Sequence, residues 1–225
     1  IIAKNIAKDL GFKWIFIEYS SKIFKKAFYS EDYKRYVSFC DNLTSIHFAG
    51  EYIMLKSLKD NKNIKKDAVF VNGQSGDFIS GNHIPDELIL INSELKNIDD
   101  IIIAAYIKKH YKHWASLNND EYITNITLNL KQLINKIKTN KDYVNKAHAL
   151  YEYMEFMDRQ SKYVINGQRN YEYFGYEWRL PLWDDDYLNF WEKASLKDKK
   201  NQSLYKRTML HSNWGNVWQN IDINP

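Results

Sequence analysis

Asp67-Ala68-Val69-Phe70-Val71-Asn72-Gly73-Gln74-Ser75-Gly76-Asp77-Phe78-Ile79-Ser80-Gly81-Asn82-His83 is the stretch on which the fold turns. A short apolar run, Ala68 to Val71, reads as a buried strand. It empties into a loop that sets one carboxylate, Asp77, among three of the chain's eight glycines. Glycine lets a backbone come close to a ligand, and a strand that ends in such a loop is how α/β folds build phosphate and metal sites. A diphosphate needs N–H donors, which Gly73, Gln74, Ser75 and Gly76 can offer. Magnesium needs one or two carboxylate oxygens beside phosphate oxygens, and Asp77 can supply them. The same residues also fit a glycine-rich turn whose Asp caps the next helix.

Outward from the loop, the periodicity alternates between helix and strand. Ile1 to Leu10 spaces Ile2, Ile6 and Leu10 on one helical face, and Gly11 closes that helix. Trp14-Ile15-Phe16-Ile17-Glu18-Tyr19 is almost continuously apolar and predicts a parallel strand covered on both faces. Ser20 or Ser21 can cap a second helix, Ser30 with Glu31 and Asp32 opens a third, and Ile46 to Leu58 has the spacing of a fourth. After Pro85 the pattern is helical over Asp99 to Trp114, Asn119 to Ile137, and Lys141 to about Phe174. The fold expected is therefore α/β: a partial doubly wound parallel sheet with a mostly helical C-terminal half. Residues 1–84 are assigned to the sheet portion and 85–225 to the helical portion packed on it, within one domain. Two strands do not complete a sheet. The N-terminus, without an initiator Met, reads as the middle of a helix, so further strands are expected upstream.

Composition narrows the class. At 225 residues and 44% hydrophobic the chain can build a core. Its densest apolar stretch, Ile101 to Ile107, is far too short to cross a bilayer, and no membrane partner is expected. The single cysteine, Cys40, excludes an internal disulfide, reads as a small buried hydrophobe, and suits a reducing, cytoplasmic setting. A net charge of +4 with lysines dispersed among acids argues against a nucleic-acid partner. His83, His110 and His113 suggest metal binding, and His110 and His113 have a zinc-compatible spacing, but no third ligand is evident, so they are read as exposed polar residues. Tyr106, Tyr111 and Tyr151 to Met157 read as packing faces. Trp214 and Trp218 are expected to seal a C-terminal helix.

A second cluster of charge lies at Arg169-Asn170-Tyr171-Glu172-Tyr173-Phe174-Gly175-Tyr176-Glu177-Trp178-Arg179-Leu180-Pro181-Leu182-Trp183-Asp184. Glu177, Arg179 and Asp184 sit in an aromatic neighbourhood. They predict a buried ion-pair network around Pro181, in which Glu177→Gln would lower the melting temperature. Arg169 or Arg179 could instead meet an anionic ligand.

Together the two stretches resemble the asparagine synthetase C-terminal family. Asn72 to His83 is similar to its S-G-E-G-x-D-E-x-x-G-G-Y loop, with Gly73, Asp77 and Gly81 matching without a gap. Arg169 to Asp184 is similar to R-x-S-M-x-x-x-x-E-x-R-x-P-F-L-D, with Arg169, Glu177, Arg179, Pro181 and Asp184 in register. The spellings look like the branch found in surface-polysaccharide gene clusters. The resemblance implies an adenine-nucleotide α-hydrolase-like (PP-loop) sheet and ATP-dependent adenylation of a carboxylate substrate, aspartate or a glycan acid. Ammonia from a glutaminase domain or partner then displaces AMP. By the same resemblance Asp77 binds Mg2+ and acts with Arg169 in catalysis, while Gly73, Gln74, Ser75 and Gly76 cradle the phosphates of ATP. The chain also departs from the family. An S-G-G-x-D-S loop is missing from it, Gln74 stands where the family has Glu, and Phe78 replaces an acid. Gln202 aligns with the pyrophosphate-binding lysine, leaving Lys199, Lys200 or Lys206 as substitutes. This stretch by itself is expected to be inactive. The alternative is a catalytically degenerate member acting as a scaffold in polysaccharide biosynthesis.

Overall fold

The computed structural model describes residues 2–41, 48–90, 97–111, 115–139 and 146–219. Local chemistry sets the first helices. Helix α1 is Ile2–Asp9, and Gly11 beyond it takes the left-handed φ of +74° that a C-terminal turn requires. Ser20 caps α2 (Ser21–Phe28) by accepting the Ile23 N–H. Ser30 caps α3 (Glu31–Cys40) by accepting that of Tyr33. Helix α4 is Ala49–Asp60. Between α1 and α2 the Trp14 to Tyr19 run is not a strand. It makes no ladder with any described residue, and Phe16 is 77% exposed. An apolar run becomes a strand only where a neighbour takes its N–H and C=O groups, and no described segment pairs with it as a strand.

Strand β1, Val69–Val71, does form where expected. Its partner is β2, Glu177–Arg179, in parallel register with Val71 opposite Arg179. The expectation of a buried strand fails: the aromatic cluster packs on the face that carries Phe70 and Trp178, and Val69 and Val71 point the other way and stay exposed. The described structure is thus mostly helical with a small two-stranded parallel sheet. No described helix is long and apolar enough to cross a membrane.

Three apolar clusters hold the elements together. The largest joins Ile84, and Leu88 of the short helix α6 (Asp86–Ile89) that follows it, to α7 (Ile98–His110), α8 (Asp120–Lys138) and α9 (Ala147–Glu155). Tyr106, Ile102, Ile134 and Tyr151 are at its centre, each at most 1% exposed. A second cluster packs Tyr33, Tyr36, Cys40, Tyr52 and Leu55 against Tyr171, Phe174 and Tyr176. It binds the first helices to α10 (Arg169–Tyr173) and β2. Truncating fully buried Leu55 to Ala would remove about 2–5 kcal/mol there. The third is small: Phe78 and Ile79 of α5 (Gly76–Ile79) on Trp191 of α11 (Asp185–Lys193). Cys40 is buried and its thiol pushed up to about 11 by burial, as suits a packing residue.

The network predicted around Pro181 is not buried. Glu177 and Arg179 pair at 2.8 Å, but their side chains are 70% and 61% exposed. On a three-residue strand they alternate outward around inward Trp178, which is why the aromatic neighbourhood misleads. Glu177→Gln is therefore expected to change stability by no more than about 1 kcal/mol in urea unfolding. Asp184 is a helix cap, its carboxylate accepting the Asp186 and Tyr187 N–H groups. Trp214 is 60% exposed in a turn after α13 (Ser203–Ser212), so it does not seal a helix. His113 and Trp114 lie outside the described residues.

Candidate functional site

The loop after β1 is held by its own side chains. The Asn72 N–H donates to the Arg179 carbonyl at 3.0 Å, extending the β1–β2 ladder. Asn72 Oδ1 accepts the Gln74 N–H at 3.1 Å, and its Nδ2 donates to Tyr171 Oη at 3.0 Å. Ser75 takes a left-handed φ of +68° that is uncommon for a residue with a Cβ. Its buried hydroxyl donates to Gln160 Oε1 at 2.7 Å. Gly76 then opens α5, where a Cβ would come within 2.7 Å of the Leu182 side chain. The loop is built to one shape.

Asp77 projects from that turn with its side chain 53% exposed. Its Oδ1 accepts the Phe78 N–H at 2.9 Å, and its Oδ2 contacts His83 Nε2 at 3.0 Å. The other ring nitrogen, His83 Nδ1, contacts Glu155 Oε1 at 2.5 Å. An imidazole with carboxylate oxygens at both nitrogens is satisfied only when both carry protons, so the geometry calls for an imidazolium. Glu155, at the end of α9, is fully buried. Lys109 Nζ donates to its Oε2 and to the His83 carbonyl, each at 3.2 Å, and Gln160 Nε2 donates to Oε1 at 3.4 Å. His110 Nε2 and an Arg159 nitrogen stand at 3.8 and 3.7 Å from the same carboxylate.

The proton affinities follow from these contacts. The His83 hydrogen bond holds Asp77 down to about 2. For Glu155, burial alone would raise the pKa, but the hydrogen bond and charge of His83, with Lys109, lower it overall. Burial likewise depresses His83, and its bonds to Asp77 and Glu155 more than offset this, so it is raised. Burial dominates at His110, pushing it down to about 4, so that ring is neutral at pH 7. Carboxylates with depressed values contribute stability that is complete above their unfolded values and lost as pH falls through the folded ones. A raised histidine contributes stability below its unfolded value that is lost as pH rises through the folded one. His110 and His148, both pushed down to about 4 by burial, must take up protons against that burial as pH falls. Urea unfolding free energy is therefore expected to decline as pH drops below about 6.5 and more steeply below about 4, where the carboxylates protonate, while His83 opposes this with a loss as pH rises above about 6.5. His83→Gln should remove the alkaline limb; an unchanged alkaline limb would show that His83 is not its source.

A second polar layer fixes the back of the loop. Ser80 accepts from Gln202 Nε2 at 2.5 Å, and Lys199 of α12 (Leu196–Lys199) donates to Glu152 at 2.8 Å, all four residues being buried. Gly81, at φ +99°, lies against the Lys199 backbone. A cleft of about 440 Å³ opens beside the cluster, lined by Asn82, His83, Asp86, Lys108, Lys109 and Asn201.

The residues expected from the sequence are placed unevenly. Asp77 stands at the cluster's solvent edge. The Gln74 and Gly76 N–H groups are donated within the loop, to Asn72 Oδ1 and the Gly73 carbonyl, so two of the four amides counted on for a phosphate cradle are committed. Gly73 is exposed and Ser75 buried. Arg169 lies over the Phe39 ring at 4.9 Å and near Glu172 at 3.8 Å; neither Asp77 nor its partners are among its contacts. Lys199 is tied to Glu152, and Gln202 is 1% exposed. Sequence reading missed Lys109 and Glu155, and it put His83 and His110 at the surface, where the structure makes their side chains 11% and 14% exposed. The available signal was Glu152 and Glu155, three apart in an otherwise aromatic and Met-rich helix. Among the described residues no three His, Cys, Asp or Glu side chains are arranged to hold a metal ion. A cation at Asp77 would draw its other ligands from substrate and water, as magnesium does. No family model, curated protein or solved structure matches the chain.

Proposed function

We propose that the chain carries the nucleotide site of an ATP-dependent amide-forming enzyme of the asparagine synthase type, in which a carboxylate is adenylated and ammonia displaces AMP. The observation that carries this reading is the pairing of β1 with β2. The two stretches that resemble the family lie about a hundred residues apart in sequence, yet Val71 pairs with Arg179 as parallel neighbours. Asp77 follows the carboxyl end of β1, the end of a parallel sheet at which ligands bind in open α/β folds. The reading extends this pair to a doubly wound sheet.

Asp77 suits the magnesium part: it is ionised, half exposed, and retains free lone pairs beyond its two hydrogen bonds. Mg2+ bound there would neutralise charge on the departing pyrophosphate. His83 keeps the carboxylate ionised and aimed, and Glu155 keeps His83 protonated. The adjacent cleft is where the carboxylate substrate would sit. A degenerate, scaffolding role is the second reading, favoured by Gln202, whose amide is buried against Ser80 instead of facing a ligand.

The test is Asp77→Asn in the intact protein. ATP-dependent pyrophosphate release, assayed with ammonium and a panel of carboxylates, is expected to fall at least about 100-fold. Melting temperature should fall by only a few degrees, since the carboxylate that His83 loses is half exposed and Glu155 still holds the ring. Undiminished release by the variant would remove Asp77 from the site, and no release by the unaltered protein would favour the scaffold.

A further inference from the structure

The ion pairs that run through Asp77 and Glu155 hold more cations than carboxylates. Two carboxylates, Asp77 and Glu155, face three cations: the imidazolium of His83, Lys109 and Arg159. His110 is neutral, and the neighbouring Glu152–Lys199 and Asp158–Lys162 pairs are each closed on themselves. An excess positive charge in a partly buried cluster is costly unless an anion shares it.

The place for that anion follows from what each cation already does. Both His83 nitrogens are engaged, and Lys109 donates twice. Arg159 is different. Its nearest carboxylate oxygen is 3.7 Å away, beyond hydrogen-bond length, and it makes no hydrogen bond among the described residues. The guanidinium lies over the Tyr163 ring at 5.7 Å with its side chain 35% exposed. Its charge nevertheless reaches Asp77, whose pKa it helps to lower. Arg159 is carried by a π-helical segment, Phe156–Ile165, that begins immediately after Glu155. Such segments widen a helix and re-aim its side chains, and they concentrate at functional sites.

We propose that Arg159 is an anion-binding residue of the Asp77 site, its guanidinium receiving a phosphate oxyanion of the ligand. The assignment rests on the nucleotide reading above. Asp77 serves the cationic side of a metal–phosphate and Arg159 the anionic side. A planar guanidinium with its N–H groups uncommitted can clasp two phosphate oxygens at once.

Calorimetric titration with magnesium pyrophosphate tests this directly. Arg159→Gln is expected to weaken binding about 10–100-fold, the effect of losing hydrogen bonds to a charged group. Arg159→Lys should recover part of the loss by restoring the charge without the fork, and it reports on binding if the glutamine variant does not fold. Titration with succinate provides the carboxylate arm and should be unaffected. Equal pyrophosphate affinity in Arg159→Gln, or a loss confined to succinate, would overturn the assignment and leave the nucleotide reading standing. Absence of pyrophosphate binding by the unaltered protein would overturn both.

Discussion

Glu155→Gln is expected to destabilise the protein by about 3–5 kcal/mol, the cost of leaving buried charges without their partner. Glu155 is fully buried, and its two oxygens serve His83, Lys109 and Gln160 together. Glutamine keeps the shape and loses the charge. One of its two oxygen positions becomes an NH2 that can only donate, and it would then confront Lys109 or His83. At about 2–4 °C per kcal/mol for a chain of this size, the melting temperature should drop by roughly 10 °C. A double-mutant cycle with His83→Gln should return a coupling of about 1 kcal/mol or more, because the side chains touch. Additive losses would mean that the 2.5 Å contact carries no energy. The comparison with Glu177→Gln is instructive: both remove a paired carboxylate, and burial alone separates a large effect from almost none.

Gly81→Ala should be comparably damaging for a backbone reason. At φ +99° an L-residue is strained, and a Cβ would lie 2.6 Å from the Lys199 carbonyl oxygen and 2.7 Å from Lys199 Cβ. A backbone carbonyl, here at the last residue of α12, cannot swing aside as a side-chain tip could, so the end of α12 must move. Strain and overpacking together are expected to cost roughly 2–5 kcal/mol in urea unfolding. Displacing α12 would also strain the Lys199–Glu152 and Gln202–Ser80 bonds, loosening the helix that carries Glu155. Gly73→Ala is the control. Its Cβ would meet nothing within 4 Å, so stability should stay within about 0.5 kcal/mol. A stable Gly81→Ala protein would show that the loop does not depend on this close approach.

These effects divide along the same line as what could be read from the chain. Ser20, Ser30 and Gly11 end or begin helices where their chemistry says they should, because a cap is satisfied within three or four residues. The same locality gives α7 and α8 and the strand at Val69–Val71. Trp14 to Tyr19 has strand composition, but hydrophobic content does not provide a hydrogen-bonding neighbour. Strand β2 went unnoticed because Glu-Trp-Arg is three residues long with charge at both ends, and only β1 makes it a strand.

The candidate site splits in the same way. Asp77 was legible from its glycine loop, a matter of adjacent residues. Its electrostatics were not, since Glu155 meets His83 across 72 residues and Lys109 across 46. The sequence by itself determined the caps, the helix spacing and the loop that presents Asp77, all settled by contacts within a turn or two. Only the tertiary structure decided that Glu155 is buried, that His83 bridges two carboxylates, and that Arg159 is left with uncommitted donors. Burial and ion pairing depend on which distant segments pack together, and residue order does not encode that locally.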